Sequence, residues 1–384
     1  MKTTMKTRYL LITVMILFIS AGSIKAESWT DKFKVGADMR LRYEIIDQEE
    51  SYYRDRFRLR ARLKFKGEVT DDFDIIVQLA SGSDDPVSTN QTMSGAFSTK
   101  GIGIDLAYLD WHPGMVKGLN IYGGKMKNPF YMPGGTELLW DGDLNPEGAA
   151  FKFSRSSDVI GFFASAGIFS IVERKEDNEA SLGGGQLGLK LKFMKNFHIL
   201  AGGGYFIYSG IEGFEPVYDD DGFGNEIVDE NGIMVFAHNY RNVEGFAEFG
   251  GKLGKLPFTV FGDYTVNQGI DDDDDLDDED DDTAWLIGAQ IGSGKKTIFE
   301  DPISSWKVKY NYREVQSDAV FGTFTDSDAG GGGTNYKGHE VGGSLTVAKH
   351  VTLGVSYYNN ILGIGDDDEE LDYERWQFDF KLKF

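Results

Sequence analysis

Between residues 53 and 66, every second residue is a cation: Arg54, Arg56, Arg58, Arg60, Arg62, Lys64 and Lys66. The positions between them, Tyr53, Phe57, Leu59, Ala61, Leu63 and Phe65, are apolar, with Asp55 the one intruder. A helix would scatter these charges around its circumference, whereas a strand places them in one column on one face. A column of like charges is costly in a dry core. In a water-filled lumen it is hydrated and screened, and it raises the local concentration of anions.

The same period of two runs through the chain. Phe33, Val35, Ala37, Met39, Leu41 and Tyr43 alternate with Lys34, Gly36, Asp38, Arg40, Arg42 and Glu44. Leu187 to Phe193, Trp306 to Arg313, Val351 to Tyr358 and Arg375 to Phe384 repeat the pattern. Alternation over more than ten residues is long for a soluble strand. It predicts strands near 33–46, 53–69, 72–82, 101–112, 118–127, 147–154, 158–172, 183–194, 196–208, 240–253, 256–267, 283–293, 304–317, 336–347, 350–361 and 371–384.

The connections between these strands alternate in length. Short links near 69–72, 112–118, 154–158, 194–196, 253–256 and 348–350 are interleaved with long ones near 83–100, 127–146, 209–239, 267–282, 316–335 and 362–370. A soluble sandwich has no reason to alternate in this way, but an outer-membrane barrel has short periplasmic turns and long extracellular loops. The fold class expected is therefore all-β, a transmembrane antiparallel up-and-down β-barrel of about 16 strands. An even count leaves both termini on the periplasmic side. Phe33 and Tyr43 at opposite ends of the first strand, and Tyr53 and Phe65 on the second, match interfacial aromatic girdles.

Composition narrows the class further. The absence of cysteine excludes a disulfide scaffold, a Cys-based zinc site and a thiol nucleophile. A net charge of -23 argues against a nucleic-acid partner, and an aromatic content of 14% argues against disorder. Residues 1–26 have the form of a cleaved signal peptide: Lys2, Lys6 and Arg8 precede an apolar run from Leu10 to Ile19, then Ala21, Gly22, Ser23 and Ala26. The barrel would occupy residues 27–384.

Three segments carry a resemblance. The final strand, WQFDFKLKF, resembles the C-terminal sorting signal of outer-membrane barrels. Residues 33–44, FKVGADMRLRYE, and the stretch YGGKMKNPFYMPGG…LLWDGDLNPEGAAFKF resemble a poorly characterised putative-porin family of Gram-negative bacteria. The resemblance implies a barrel of sixteen or so strands assembled as a homotrimer. It also implies recognition by the barrel-assembly machinery through Trp376, Phe378, Phe380, Leu382 and Phe384, and a setting among outer-membrane lipid and lipopolysaccharide. It further implies that residues 127–146 form an inward-folded constriction loop. Glu137, Asp141 and Asp143 of that loop would then face a basic wall of Arg40, Arg42, Arg54, Arg56, Arg58, Arg60, Arg62 and Lys64, with Arg58, Arg60 and Arg62 near mid-membrane.

Three acidic clusters lie in long connections: residues 219–221, 271–282 (within the acidic loop 268–282) and 366–370. Solvated, self-repelling loops are the plain interpretation. The sharper one is a Ca2+ or Mg2+ site at Asp219, Asp221, Asp271, Asp272 and Asp273, since carboxylate clusters suit hard cations. No other cofactor is expected. The glycine-rich stretches lack a strand-to-helix setting, the five histidines lack ligand spacing, and no nucleophile elbow is present. The expectation is a channel for passive diffusion of small hydrophilic solutes, with mild anion preference and no catalysis. The alternative is a narrow or closed barrel serving as a surface adhesin or cation-binding structural protein.

Overall fold

The computed structural model describes residues 32–194, 196–270, 281–292, 305–365 and 369–384. The proposed signal peptide and most of the longest acidic run, Asp271, Asp272 and Asp273 included, lie outside the described residues.

Among the described residues, sixteen long strands form the wall. The first eight are β1 (Phe33–Gln48), β2 (Arg54–Thr70), β3 (Phe73–Ser81), β4 (Ile102–Trp111), β5 (Leu119–Lys125), β6 (Glu147–Ser156), β7 (Ile160–Val172) and β8 (Ala180–Phe193). The rest are β9 (Phe197–Ser209), β10 (Arg241–Leu253), β11 (Leu256–Asn267), β12 (Thr283–Gly292), β13 (Ser305–Val315), β14 (Tyr336–Ala348), β15 (Val351–Leu362) and β16 (Leu371–Lys383). Each pairs antiparallel with its chain neighbour, and β1 closes the ring against β16 from Asp38↔Lys383 to Gln48↔Tyr373. All sixteen predicted strands are present, with ends shifted by at most a few residues. A two-residue strand, Gln91–Thr92, fills the wall beside Arg58 and Leu59 where β3 has ended.

The two faces of the wall are inverted relative to a soluble protein. Val35, Met39, Leu41, Phe57, Leu63, Ile287, Leu353 and Phe378 are exposed, while Arg42, Glu44, Asp263, Asn311, Arg313, Arg375 and Gln377 are buried. Only a barrel set in lipid, with its polar groups satisfied inside, favours this arrangement. Aromatic rings collect at the strand ends. Phe33 stacks on Phe65, and Phe193, Phe197, Phe249 and Phe258 form one cluster at the short-turn end. Tyr43 packs on Phe57 at the long-loop end, where its hydroxyl lies 3.3 Å from Asp55 and gives the intruding carboxylate a partner.

The lumen is not uniformly polar. Facing strands β6 to β15, it holds an apolar cluster that includes Phe130, Trp140, Phe206, Phe261, Phe321 and Tyr336. Residues 127–146 between β5 and β6 and residues 316–335 between β13 and β14 enter to build it, joined by Ile211 and Phe236 of the connection between β9 and β10. The second was expected to be an ordinary outer loop. It folds inward because its Val320, Phe321 and Ala329 have an apolar surface to bury against.

Candidate functional site: a paired guanidinium seam

The opposite wall of the lumen, β16, β1 and β2, carries the charge. Period two turns Asp38, Arg40, Arg42 and Glu44 of β1 inward. Antiparallel register then sets them opposite Arg62, Arg60, Arg58 and Arg56 of β2. On the other side β1 meets β16, with Arg42 opposite Asp379 and Arg40 opposite Lys381. The expected basic wall is therefore assembled. It is not simply hydrated, however, because an acid from the wall or a loop sits against most of its members.

Arg42 forms a forked pair with Asp379 at 2.7 and 3.1 Å and also reaches Asp328 at 3.1 Å. Arg375 bridges Glu44 at 2.8 Å and Asp328 at 2.7 Å. Glu44 also takes Arg56, and lies 3.7 Å from Arg58. Asp38 and Asp143 together hold Arg60 and Arg62, with Asp143 at 3.6 and 3.2 Å respectively. Arg40 has no carboxylate partner among the described residues and donates to Asn90 Oδ1 at 2.6 Å. Arg54 is exposed near the rim and Lys64 is half-buried toward the other end.

Residues 127–146 pack against the inner wall of the barrel. Their backbone is tied to the inner wall through Tyr131 N to Gln186, Gly134 N to Glu248, and Ser165 Oγ to Pro129 O. Gly134 has φ +61, and a Cβ there would lie 2.5 Å from the Phe261 ring. Only glycine combines that backbone with that proximity.

Of the three loop acids expected to face the arginines, only Asp143 does so. Asp141 accepts from Asp143 N and Ser327 N, and Glu137 accepts from Gly142 N. Both turn toward residues 316–335, where they group with Asp326. The inward course of that second loop brings Ser327 N to Asp141 on the far side from the arginines. Burial, followed by the charge of neighbouring acids, pushes the Glu137 and Asp141 carboxyls well above their ordinary range. Burial acts on Asp143 in the same direction, but Arg60, Arg62, Arg40 and Lys127 outweigh it and hold that carboxyl below its ordinary value. At half-buried Asp328, which sequence reasoning missed, burial also acts upward, but Arg375 and Arg42 drive the carboxyl far below its ordinary range.

Two cavities follow the seam. One, of about 300 Å³ toward the long loops, is lined by Arg54, Arg56, Arg58, Arg375, Asp85 and Thr323 among others. The other, of about 290 Å³ toward the short turns, is lined by Arg62, Lys64, Lys127, Lys383, Asp38 and Asp143. Arg60 lies between them on β2, bound to Asp143.

Three groups among the described residues could in principle chelate a cation, their ligand atoms lying within 4.8 Å: Asp74–Asp110–His112, Glu226–His238–Asp318 and Glu137–Asp141–Asp326. Each has a protein partner: Lys66 on Asp74, Tyr240 on Asp318 and Arg313 on Asp326. Asp219 and Asp221 are exposed and belong to none of these groups. Asp221 caps Phe223 N within its own turn.

A family model described as "Putative porin" matches residues 47–220 and 236–384. No curated protein matches the sequence. Among solved structures, OprB of Pseudomonas putida is similar at TM-score 0.57 and 9% identity, covering 92% of this chain and 95% of its own. OmpF of Salmonella typhi, solved with daunomycin, gives TM-score 0.51 at 11% identity, covering 94% and 100%. The trimer form of OmpT, an outer membrane protein of Vibrio cholerae, gives 0.50 at 12% identity, covering 92% and 100%. At these identities the likeness is one of fold.

Proposed function

This chain belongs to the putative-porin family, and from that premise we propose that it passes small hydrophilic solutes by passive diffusion, favouring anions along the β16–β1–β2 seam. The observation that carries the proposal is the pair of cavities on either side of Arg60, both lined by cations of β2. A solute moving between them passes guanidiniums at alternate positions, about 7 Å apart along the strand. Charged linings of this kind select ions by sign. Asp143 narrows the passage at Arg60 and Arg62, so residues 127–146 act as the constriction and residues 316–335 narrow the remainder. The process involves no catalysis.

We extend the proposal to the chain's surroundings. Residues 1–26 direct export and are removed, and Trp376, Phe378, Phe380, Leu382 and Phe384 present the assembly signal on the outer face of β16. The barrel sits in the outer membrane as a homotrimer. The acidic outer loops, Asp219 and Asp221 included, meet lipopolysaccharide through Ca2+ or Mg2+.

Reversal potentials in planar bilayers across a potassium chloride gradient test the selectivity. An anion preference is expected, reduced in Arg58→Ala and Arg60→Ala. A cation preference that neither substitution changes would overturn the seam's role. The alternative, a closed barrel serving as an adhesin, draws support from the apolar half of the lumen. Single-channel conductance in the purified protein excludes it, and silence with calcium-dependent surface binding supports it.

A further inference from the structure

The cavity toward the long loops contains more than positive charge. Arg58 Nε, Arg375 Nε and Thr323 Oγ1 have no hydrogen-bond partner, and all three residues line it. Thr323 and Arg375 are each about 2% exposed, so water does not satisfy them freely. Buried donors without acceptors are rare in folded proteins, and a group of them around one cavity calls for an acceptor-rich occupant.

The charge around the cavity has the same sense. Arg42, Arg54, Arg56, Arg58 and Arg375 stand against Glu44, Asp85, Asp328 and Asp379, leaving a guanidinium in excess. Asp85, which lines the cavity, is already engaged with Val87 N at 2.9 Å.

One side of the cavity is flat and apolar, while Gln48, Ser88, Thr325 and Ser327 add neutral polar groups elsewhere in the lining. Tyr218 and Phe223 stack with ring centroids 5.9 Å apart and line the cavity with Tyr373 and the glycines Gly331 to Gly333. The volume of about 300 Å³ is at the lower end of small-ligand sites. A hydrated halide would use the charge but neither the apolar walls nor the separated donors.

We propose that this cavity is a binding site for a small monocarboxylate with a flat apolar body, a station that the solute occupies before it passes Arg60. Its carboxylate would accept from Arg58, Arg375 and Thr323, and its body would lie against Phe223 and Tyr373. The inference rests on the channel reading above but can fail separately from it.

The test uses the full-length protein in planar bilayers, with benzoate as probe and chloride, inorganic phosphate and neutral benzamide as comparisons. Current carried by benzoate is expected to saturate with concentration, whereas chloride current rises in proportion. Benzoate is expected to depress chloride current, and benzamide is not. Thr323→Val should raise the half-saturating benzoate concentration about fivefold, the effect of one hydrogen bond, and Thr323→Ser should restore it. Arg58→Gln should raise it tenfold or more, since a charge-assisted bond is lost. Proportional benzoate current, phosphate saturating below benzoate, or a Thr323→Val protein with unchanged half-saturation would each overturn the site. Chloride-over-potassium preference in the wild type decides the channel reading independently, because it involves no benzoate.

Discussion

Arg40 of β1 and Arg60 of β2 occupy directly opposed positions in the barrel wall. Arg42 and Arg58 do the same two residues further along. Like charges placed opposite each other destabilise a strand pair. The pairing persists because acids from outside it intervene: Asp379 from β16, Asp328 from residues 316–335 and Asp143 from residues 127–146. The two inward loops therefore act electrostatically as well as by filling space.

Asp143→Asn is the direct probe of that role. It frees Arg60 and Arg62 of one shared partner while keeping the side chain's shape. The expected result is a severalfold rise in anion-over-cation permeability, measured as reversal potential. A loss of about 1–3 kcal/mol in barrel stability should accompany it, because two partly buried guanidiniums lose a carboxylate. An unchanged reversal potential would show that the ion path does not pass Asp143.

Gly134→Ala tests how residues 127–146 are held. The substitution places a methyl against the Phe261 ring in a left-handed backbone conformation. The strain is expected to cost about 1–3 kcal/mol and to loosen the loop. Larger and noisier single-channel conductance is the expected readout. In Gly134→Ala with Phe261→Ala the steric clash is relieved but the backbone strain stays, so conductance should return only part of the way. Wild-type conductance in Gly134→Ala would mean that the loop does not limit flow.

Much of this architecture was legible in the sequence because a barrel wall repeats one rule. Alternation over 53–66 placed Arg56 to Arg62 inward and Phe57 and Leu63 outward, and both placements hold. The environment of the arginines was not legible. Period two says which face a residue occupies, but not which distant loop brings it a counter-charge, and Asp328 lies more than 280 residues from Arg42. The direction of Glu137 and Asp141 was hidden for the same reason, since it depends on where residues 316–335 lie. The aromatic pair Phe321 and Phe324 was the available signal that this second loop enters the barrel.

The Glu137–Asp141–Asp326 junction makes the contact between the two inward loops pH-dependent. The folded-state pKa values of Glu137 and Asp141 lie well above their ordinary values, so the folded state binds protons more readily than the unfolded one. The stabilisation is present in full below the ordinary carboxylate range and is lost as pH rises through the folded values. Lowering pH from neutral toward 4.5 should therefore raise the thermal unfolding temperature in detergent and quieten current fluctuations. Glu137→Gln should mimic the protonated state: more stable than wild type at pH 8, and little different near pH 4. A Glu137→Gln protein less stable than wild type at pH 8 would show that the carboxylate is needed in its charged form.

Glu44 gives the sharpest test of the seam as a whole. It is fully buried and serves Arg56, Arg58 and Arg375 at once. Breaking a buried pair by removing one partner leaves uncompensated charge and typically costs about 3–5 kcal/mol. Glu44→Gln retains two hydrogen-bonding atoms but removes the charge that three guanidiniums share. The protein is expected to assemble poorly or to unfold well below the wild-type temperature, followed by the shift between folded and unfolded mobility on unheated gels. Raising salt from low to about 1 M should recover part of the loss, because mobile anions screen charges facing water. Glu44→Gln together with Arg375→Gln should recover more, since it removes the most buried of the three cations. If Glu44→Gln unfolds with wild-type behaviour at low salt, then water and mobile anions neutralise this wall, and the ion-pair account of the lumen is wrong.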